Sequence, residues 1–205
     1  EMSVQPSGSI NLISPENGSY RSGVVFNDID SEPTEEAIAF YKTSSQSSLS
    51  DAGIRVCLLD QVDGVWRAVW DIPGQGSDVD KILFLTDTSS GCKYVIIGFS
   101  PKEEGRQKVY CIYDYQLGGL QQKATGEYQM LETFDIDANG QEEIITISYK
   151  DEGEAVEDLS NMAYITRVEN GQFVETSSVP TSGKTISYPY VTKDQTSFGT
   201  PALII

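Results

Sequence analysis

Phe134-Asp135-Ile136-Asp137-Ala138-Asn139-Gly140-Gln141-Glu142-Glu143-Ile144-Ile145-Thr146-Ile147 runs from an acidic loop straight into a β-branched segment. Oxygen-bearing side chains fall at loop positions 1, 3, 5 and 9, occupied by Asp135, Asp137, Asn139 and Glu143. Alternate residues of a tightly curled loop point inward, so this spacing gathers hard oxygen ligands around one cation, and calcium is the expected occupant. Gly140 allows the turn a φ that a Cβ disfavours. Position twelve is Thr146, so the bidentate glutamate of an EF-hand is absent. The Ile144–Ile147 run is poor helix material and predicts a strand.

A second acidic loop precedes it at Asp28-Ile29-Asp30-Ser31-Glu32-Pro33-Thr34-Glu35-Glu36, again leading into an apolar run, Ala37-Ile38-Ala39-Phe40-Tyr41. Pro33 near the start of Ser31–Lys42 raises a helix as the rival reading; the parallel with the Ile144 run decides for a strand. Asp87 and Asp194 open two further turns, so Asp28, Asp87, Asp135 and Asp194 recur about every fifty to sixty residues. Each turn is followed by a strand, a polar connection and a hairpin. The hairpin signals are Asp63-Gly64, Gly118-Gly119 and Asn170-Gly171 between apolar runs.

Four strands per unit at this period predict an all-β chain, a propeller-like array of four-stranded blades. Three units are complete, at about 20–77, 78–126 and 127–180, and a partial fourth covers 181–205, opening at Ile186-Ser187-Tyr188. Residues 1–19 read as a linker with a stray strand at Ile10–Ile13. A lone four-stranded sheet leaves a face bare, so neighbouring units are expected to pack face to face.

Composition narrows the function. The 205 residues carry 14 Lys plus Arg against 31 Asp plus Glu, a formal charge of −17. Such a surface repels phosphate backbones and anionic lipid, which excludes nucleic acid and membrane-surface partners. No apolar run reaches the roughly 18 residues that span a bilayer. Histidine is absent, so a Ser-His-Asp triad, a Cys-His pair and a His-ligated metal are excluded. Without it a serine nucleophile in the Ser44–Ser50 tract would need a lysine base, and no S-x-x-K is visible there. Cys57, Cys92 and Cys111 lie far apart with no CxxC; Cys57 and Cys111 are expected as buried free thiols.

Acid doublets stand at Glu35-Glu36, Glu103-Glu104, Glu142-Glu143 and Asp151-Glu152, with Glu154 nearby. Adjacent strand residues face opposite ways, so no doublet makes a glycosidase pair; the run from Lys150 to Asp158 reads as a solvated loop. Trp66 and Trp70, four apart on one strand, are expected on one face, packed between blades. An exposed pair would instead stack on sugar rings, and Tyr188-Pro189-Tyr190 carries the same two readings.

At its acidic loops the chain resembles the FG-GAP/VCBS class of repeats, whose pattern is Asp-x-Asp-x-Asp/Asn-Gly-x-x-Asp/Glu followed by an apolar strand. Asp135, Asp137, Asn139, Gly140 and Glu143 match it position by position. The resemblance implies calcium there, with Gln141 adding a backbone carbonyl. The first loop departs from the pattern through Pro33 and Glu32, leaving Asp28, Asp30, Glu32 and Glu36 as a second candidate set. The Asp87 loop, with Val95 at position nine, and the Asp194 loop are expected to be metal-free. Phrases such as Tyr20–Phe26 and Glu35–Tyr41 also look like propeller-type lipoproteins of Gram-positive gut bacteria.

The resemblance implies an extracellular or cell-surface address, with a leader or lipid anchor upstream of Glu1. The expected function is a non-enzymatic binding or adhesion module, stiffened by calcium, for a protein or carbohydrate ligand. The alternatives are a secreted carbohydrate-active enzyme with carboxylates converging from several blades, and a purely structural scaffold domain.

Overall fold

The apolar runs and turn signals fold as an all-β chain. The computed structural model describes residues 10–43, 53–102, 106–116, 118–151, 159–181, 190–192 and 202–204. In the first sheet, β1 (Ile10–Leu12), β3 (Glu36–Thr43), β4 (Ile54–Val62) and β5 (Val65–Pro73) lie in that order, and β2 (Val24–Asn27) also pairs with β3. The second sheet is a meander of β6 (Asp78–Thr86), β7 (Lys93–Ser100), β8 (Lys108–Gln116) and β9 (Gly119–Tyr128). The third repeats it with β10 (Met130–Phe134), β11 (Glu143–Asp151), β12 (Leu159–Glu169) and β13 (Gln172–Pro180). β14 (Tyr190–Thr192) and β15 (Ala202–Ile204) form an antiparallel pair. These antiparallel sheets are consistent with propeller-like blades, and Ser31–Lys42 contributes a strand, not a helix.

Two hairpins owe their register to the residues singled out above. Asp63 and Gly64 have φ 55° and 72°, and Asn170 and Gly171 have 52° and 74°. Positive φ at both central residues is what a two-residue hairpin turn of matching twist requires. Each hairpin also carries an irregularity at the same corner. Leu58 and Leu59 face Trp70 and Ala68, skipping Val69; Ile165 and Thr166 face Ser177 and Glu175, skipping Thr176.

That bulge overturns one expectation. An extra residue in β5 shifts the side-chain alternation by one, so Trp66 and Trp70 face opposite sides of the sheet. Trp70, opposite Leu58, packs into the core and meets Tyr113 edge-to-face at 6.2 Å. Trp66 is 41% exposed on the other side, beside Phe26.

The chain divides into two compact units, Glu1–Phe84 with Lys93–Gly126, and Leu85–Cys92 with Glu127–Ile205. In the first, alternate residues of two sheets meet: Ile38, Phe40, Val56 and Leu58 pack with Val95, Ile97, Phe99 and Cys111. Burying each of the larger side chains contributes about 1.5–3 kcal/mol relative to exposure. The turn before β6 closes on this unit at Gly76, where a Cβ would stand 2.1 Å from the Ser100 carbonyl oxygen. The second unit centres on Met130, Ile145, Ile147 and Ala163, with Phe134 and Ile136 against them.

Cys57 and Cys111 are buried free thiols and Cys92 is exposed. Their sequence surroundings look alike, but Cys57 packs with Ala39 and Tyr41 while Cys111 joins the core between sheets. Burial, then the nearby Asp71, pushes the Cys57 thiol up to about 11.

Candidate metal centres at the acidic loops

The two acidic loops occupy equivalent places, β2 to β3 and β10 to β11. The antiparallel register pairs Asn27 with Glu36 and Phe134 with Glu143, so each loop is closed by a glutamate heading the second strand. That position faces the core side, and both glutamates are buried, 1% and 0% exposed.

The loops fold alike despite different sequences. The Glu36 carboxylate accepts from Ile29 N at 2.8 Å, and the Glu143 carboxylate accepts from Ile136 N at 2.9 Å. Ser31 and Ala138, both fourth in their loops, have φ 67° and 58°. Gly140 adds φ 88°, as expected for its turn; Pro33 in the first loop does not prevent the same curl. Asp28 Oδ1 accepts from Ser31 N at 2.7 Å, and Asp30 Oδ1 from Glu32 N at 2.9 Å. In the later loop Asp135 accepts from Asn139 N at 3.0 Å and Gly140 N at 2.8 Å.

Each loop gathers three carboxylates. One oxygen from each of Asp28, Asp30 and Glu36 lies within 4.8 Å of the others, and the same holds for Asp135, Asp137 and Glu143. Either set could hold a metal ion of the oxygen-seeking kind. Glu32 is exposed and outside the first set. Asn139 turns its amide oxygen to Gln141 N at 2.7 Å, capping the loop. The Gln141 side chain reaches the Asp87 loop: it accepts from Thr88 N at 2.7 Å and donates to Thr86 O at 2.9 Å.

The cations around these acids escaped the sequence reading. Arg167 Nε donates to Glu143 at 2.8 Å, and its terminal nitrogen donates to Asp137, so one guanidinium bridges two of the three carboxylates. In the first loop Lys93 Nζ donates to Asp28 Oδ2 and to Asp28 O, both at 2.7 Å, and this ammonium holds the Asp28 carboxyl below its usual range. Lys93 heads β7 as Glu36 heads β3. The hairpins could have aligned these residues: Asp60 and Arg167 each stand three residues before the first turn residue, Asp63 or Asn170.

That alignment exposes the difference between the loops. The β3–β4 register pairs Ala37 with Leu59, and its next step sets Asp60 across from Glu36, in the place of Arg167. Burial, with Asp30 and Asp60 adding repulsion, raises the Glu36 carboxyl against the pull of the Ile29 N–H. Tyr115 faces the same acids: burial first, then Asp30, Asp60, Glu36 and Glu32, push its phenol up. Glu36 Oε1 is buried and accepts no hydrogen bond.

The Asp87 loop is built differently. Asp87 accepts from Ser89 N at 2.9 Å, Ser89 Oγ at 2.6 Å and Ser90 Oγ at 2.6 Å, which fills both carboxylate oxygens with donors from its own turn. Burial raises its pKa, but those donors outweigh burial and hold it down. The Asp194 loop, Tyr188-Pro189, Ser44–Ser50, Glu103-Glu104 and 152–158 lie outside the described residues. In both described doublets the acid that heads the strand, Glu36 or Glu143, is buried, and its neighbour at the end of the loop, Glu35 or Glu142, is exposed.

No protein-family model matches the chain, and no curated protein matches it by sequence. Among the described residues no helix is long and apolar enough to cross a membrane.

Proposed function

We propose that the chain is a non-enzymatic, extracellular or cell-surface binding module of the FG-GAP/VCBS kind. Its ligand is a protein or carbohydrate surface that meets the outer face of the first sheet. The observation behind this reading is the Phe26–Trp66 pair. The rings stand 5.8 Å apart at 66°, with 52% and 41% of their surface exposed. The cross-strand row from Phe26 runs through Ala37 and Leu59 to Ala68, and Trp66 stands two residues before Ala68 on β5. Paired exposed aromatics of this kind stack on sugar rings or anchor a protein contact.

In this reading calcium stiffens an acidic loop and carries no chemistry. In the motif loop Asp135, Asp137 and Glu143 would hold it only where Arg167 is displaced. A glycan and protein binding screen, run on wild type and on Phe26→Ala with Trp66→Ala, tests the surface. Binding lost in the double variant with unchanged circular dichroism is the expected result. Ligands bound equally by both proteins would remove this face from the function.

A further inference from the structure

We propose that the first loop, with Asp28, Asp30 and Glu36, is the divalent-cation site of this protein, and that the motif-bearing Asp135 loop carries Arg167 as a built-in substitute for the ion. This inference rests on the ion-stiffened part of the preceding reading and not on its ligand surface.

The two loops share one backbone plan and one arrangement of three carboxylates, so their difference lies in what answers the charge. At the Asp135 loop, Arg167 reaches Glu143 and Asp137 together, and backbone N–H groups take both oxygens of Asp135. The buried glutamate there has both oxygens partnered, one by Ile136 N and one by Arg167. An incoming ion must displace a guanidinium already hydrogen-bonded to two of the three carboxylates. At the first loop the corresponding cross-strand residue is Asp60, of the opposite charge. Lys93 reaches Asp28 but leaves Glu36 Oε1 buried without a donor.

A buried carboxylate oxygen with no partner costs free energy unless a cation or a donor completes it. The other oxygen of Glu36 accepts from Ile29 N, the residue between Asp28 and Asp30 in the chain, which keeps this carboxylate against the loop. Asp28, Asp30 and Glu36 supply one oxygen each within 4.8 Å of one another, and Asp60 adds a further negative charge acting on Glu36. Counting Asp28, Asp30, Glu36 and Asp60 against Lys93 and against Arg67, which β5 sets opposite Asp60, still leaves two negative charges, which suits a dication. The hard oxygen donors select calcium or magnesium over thiolate-seeking metals.

Calcium titration by calorimetry on the full 205-residue chain, paired with terbium luminescence excited through tyrosine, tests this. Wild type is expected to bind one equivalent. Glu36→Gln, which keeps the acceptor for Ile29 N, should weaken binding at least tenfold. Asp60→Arg, which copies the Arg167 arrangement, should do the same. Asp137→Asn should leave the affinity within about twofold, and Arg167→Met should add a second equivalent. Circular dichroism on each variant confirms the fold.

Binding unchanged in Glu36→Gln, binding lost in Asp137→Asn, or no calcium or terbium uptake at millimolar concentration would overturn the assignment. None of these outcomes bears on Phe26 and Trp66, whose ligand is measured separately.

Discussion

Replacing Arg167 with Met tests whether a protein cation holds the Asp135 loop together. Glu143 is fully buried and lies at the junction of β10 and β11, where its carboxylate accepts from Ile136 N on one oxygen and Arg167 Nε on the other. The methionine keeps the aliphatic stem of Arg167 and removes its donors. Breaking a fully buried pair costs about 3–5 kcal/mol, but 31% of the Arg167 side chain is exposed, so water recovers part of the loss. An expected cost of about 2 kcal/mol follows, within the range for a buried acceptor left unpaired. That lowers Tm by roughly 4–8 °C for a chain of this length.

The assay is urea unfolding at neutral pH followed by far-ultraviolet circular dichroism and by tryptophan fluorescence. Both tryptophans sit on β5 in the first compact unit, whereas Arg167 belongs to the second, so dichroism must report the loss. Glu143→Gln alone and combined with Arg167→Met completes a double-mutant cycle. A coupling of about 1–2 kcal/mol is expected, because the neutral amide no longer strands a buried charge. A coupling within 0.3 kcal/mol of zero, or an Arg167→Met variant within about 0.5 kcal/mol of wild type, would refute the role given to this pair.

Trp70→Ala should cost about 3 kcal/mol, because the ring packs in the core against Tyr113, while Trp66→Ala should stay within about 1 kcal/mol of wild type; equal costs in urea melts would contradict the opposed faces. Gly76→Ala combines φ +79° with a Cβ 2.1 Å from Ser100 O and should lose at least about 2 kcal/mol. Gly64→Ala, at φ +72° with open space around it, should lose only about 1 kcal/mol in the same melts. Asp87 titrates below its usual value when folded, so its stabilisation is present above about pH 4 and fades as pH falls through the folded pKa. Ser89→Ala with Ser90→Ala should therefore cost about 1–3 kcal/mol at pH 7 and progressively less as the pH falls below about 4. Native protein should expose one thiol, Cys92, to a thiol reagent, and all three after denaturation; a fast second equivalent would contradict the burial of Cys57 and Cys111.

The strands, the meander order and the two-residue hairpins were legible because they depend on local chemistry. Ile144–Ile147 and Ala37–Tyr41 are β-branched or apolar runs that need a sheet, and Asp63-Gly64 and Asn170-Gly171 tolerate the positive φ of their turns. The acidic loops were legible for the same reason: Asp28, Asp30 and Glu36, like Asp135, Asp137 and Glu143, converge through their own backbone turns. The faces of Trp66 and Trp70 were not, because one skipped residue, Val69, reverses the alternation and no local signal marks it.

The sequence by itself determined which residues could turn, extend and carry negative charge, since those properties belong to short segments. Only the tertiary structure decided which charge answers which. Arg167 and Asp60 lie 24 residues from the glutamates they face, Glu143 and Glu36, and Lys93 lies 65 from Asp28. Coulombic and hydrogen-bond energies depend on distance through space and on burial, so strand register sets the partner of each buried carboxylate. That register places a guanidinium against Glu143 and a second carboxylate across from Glu36.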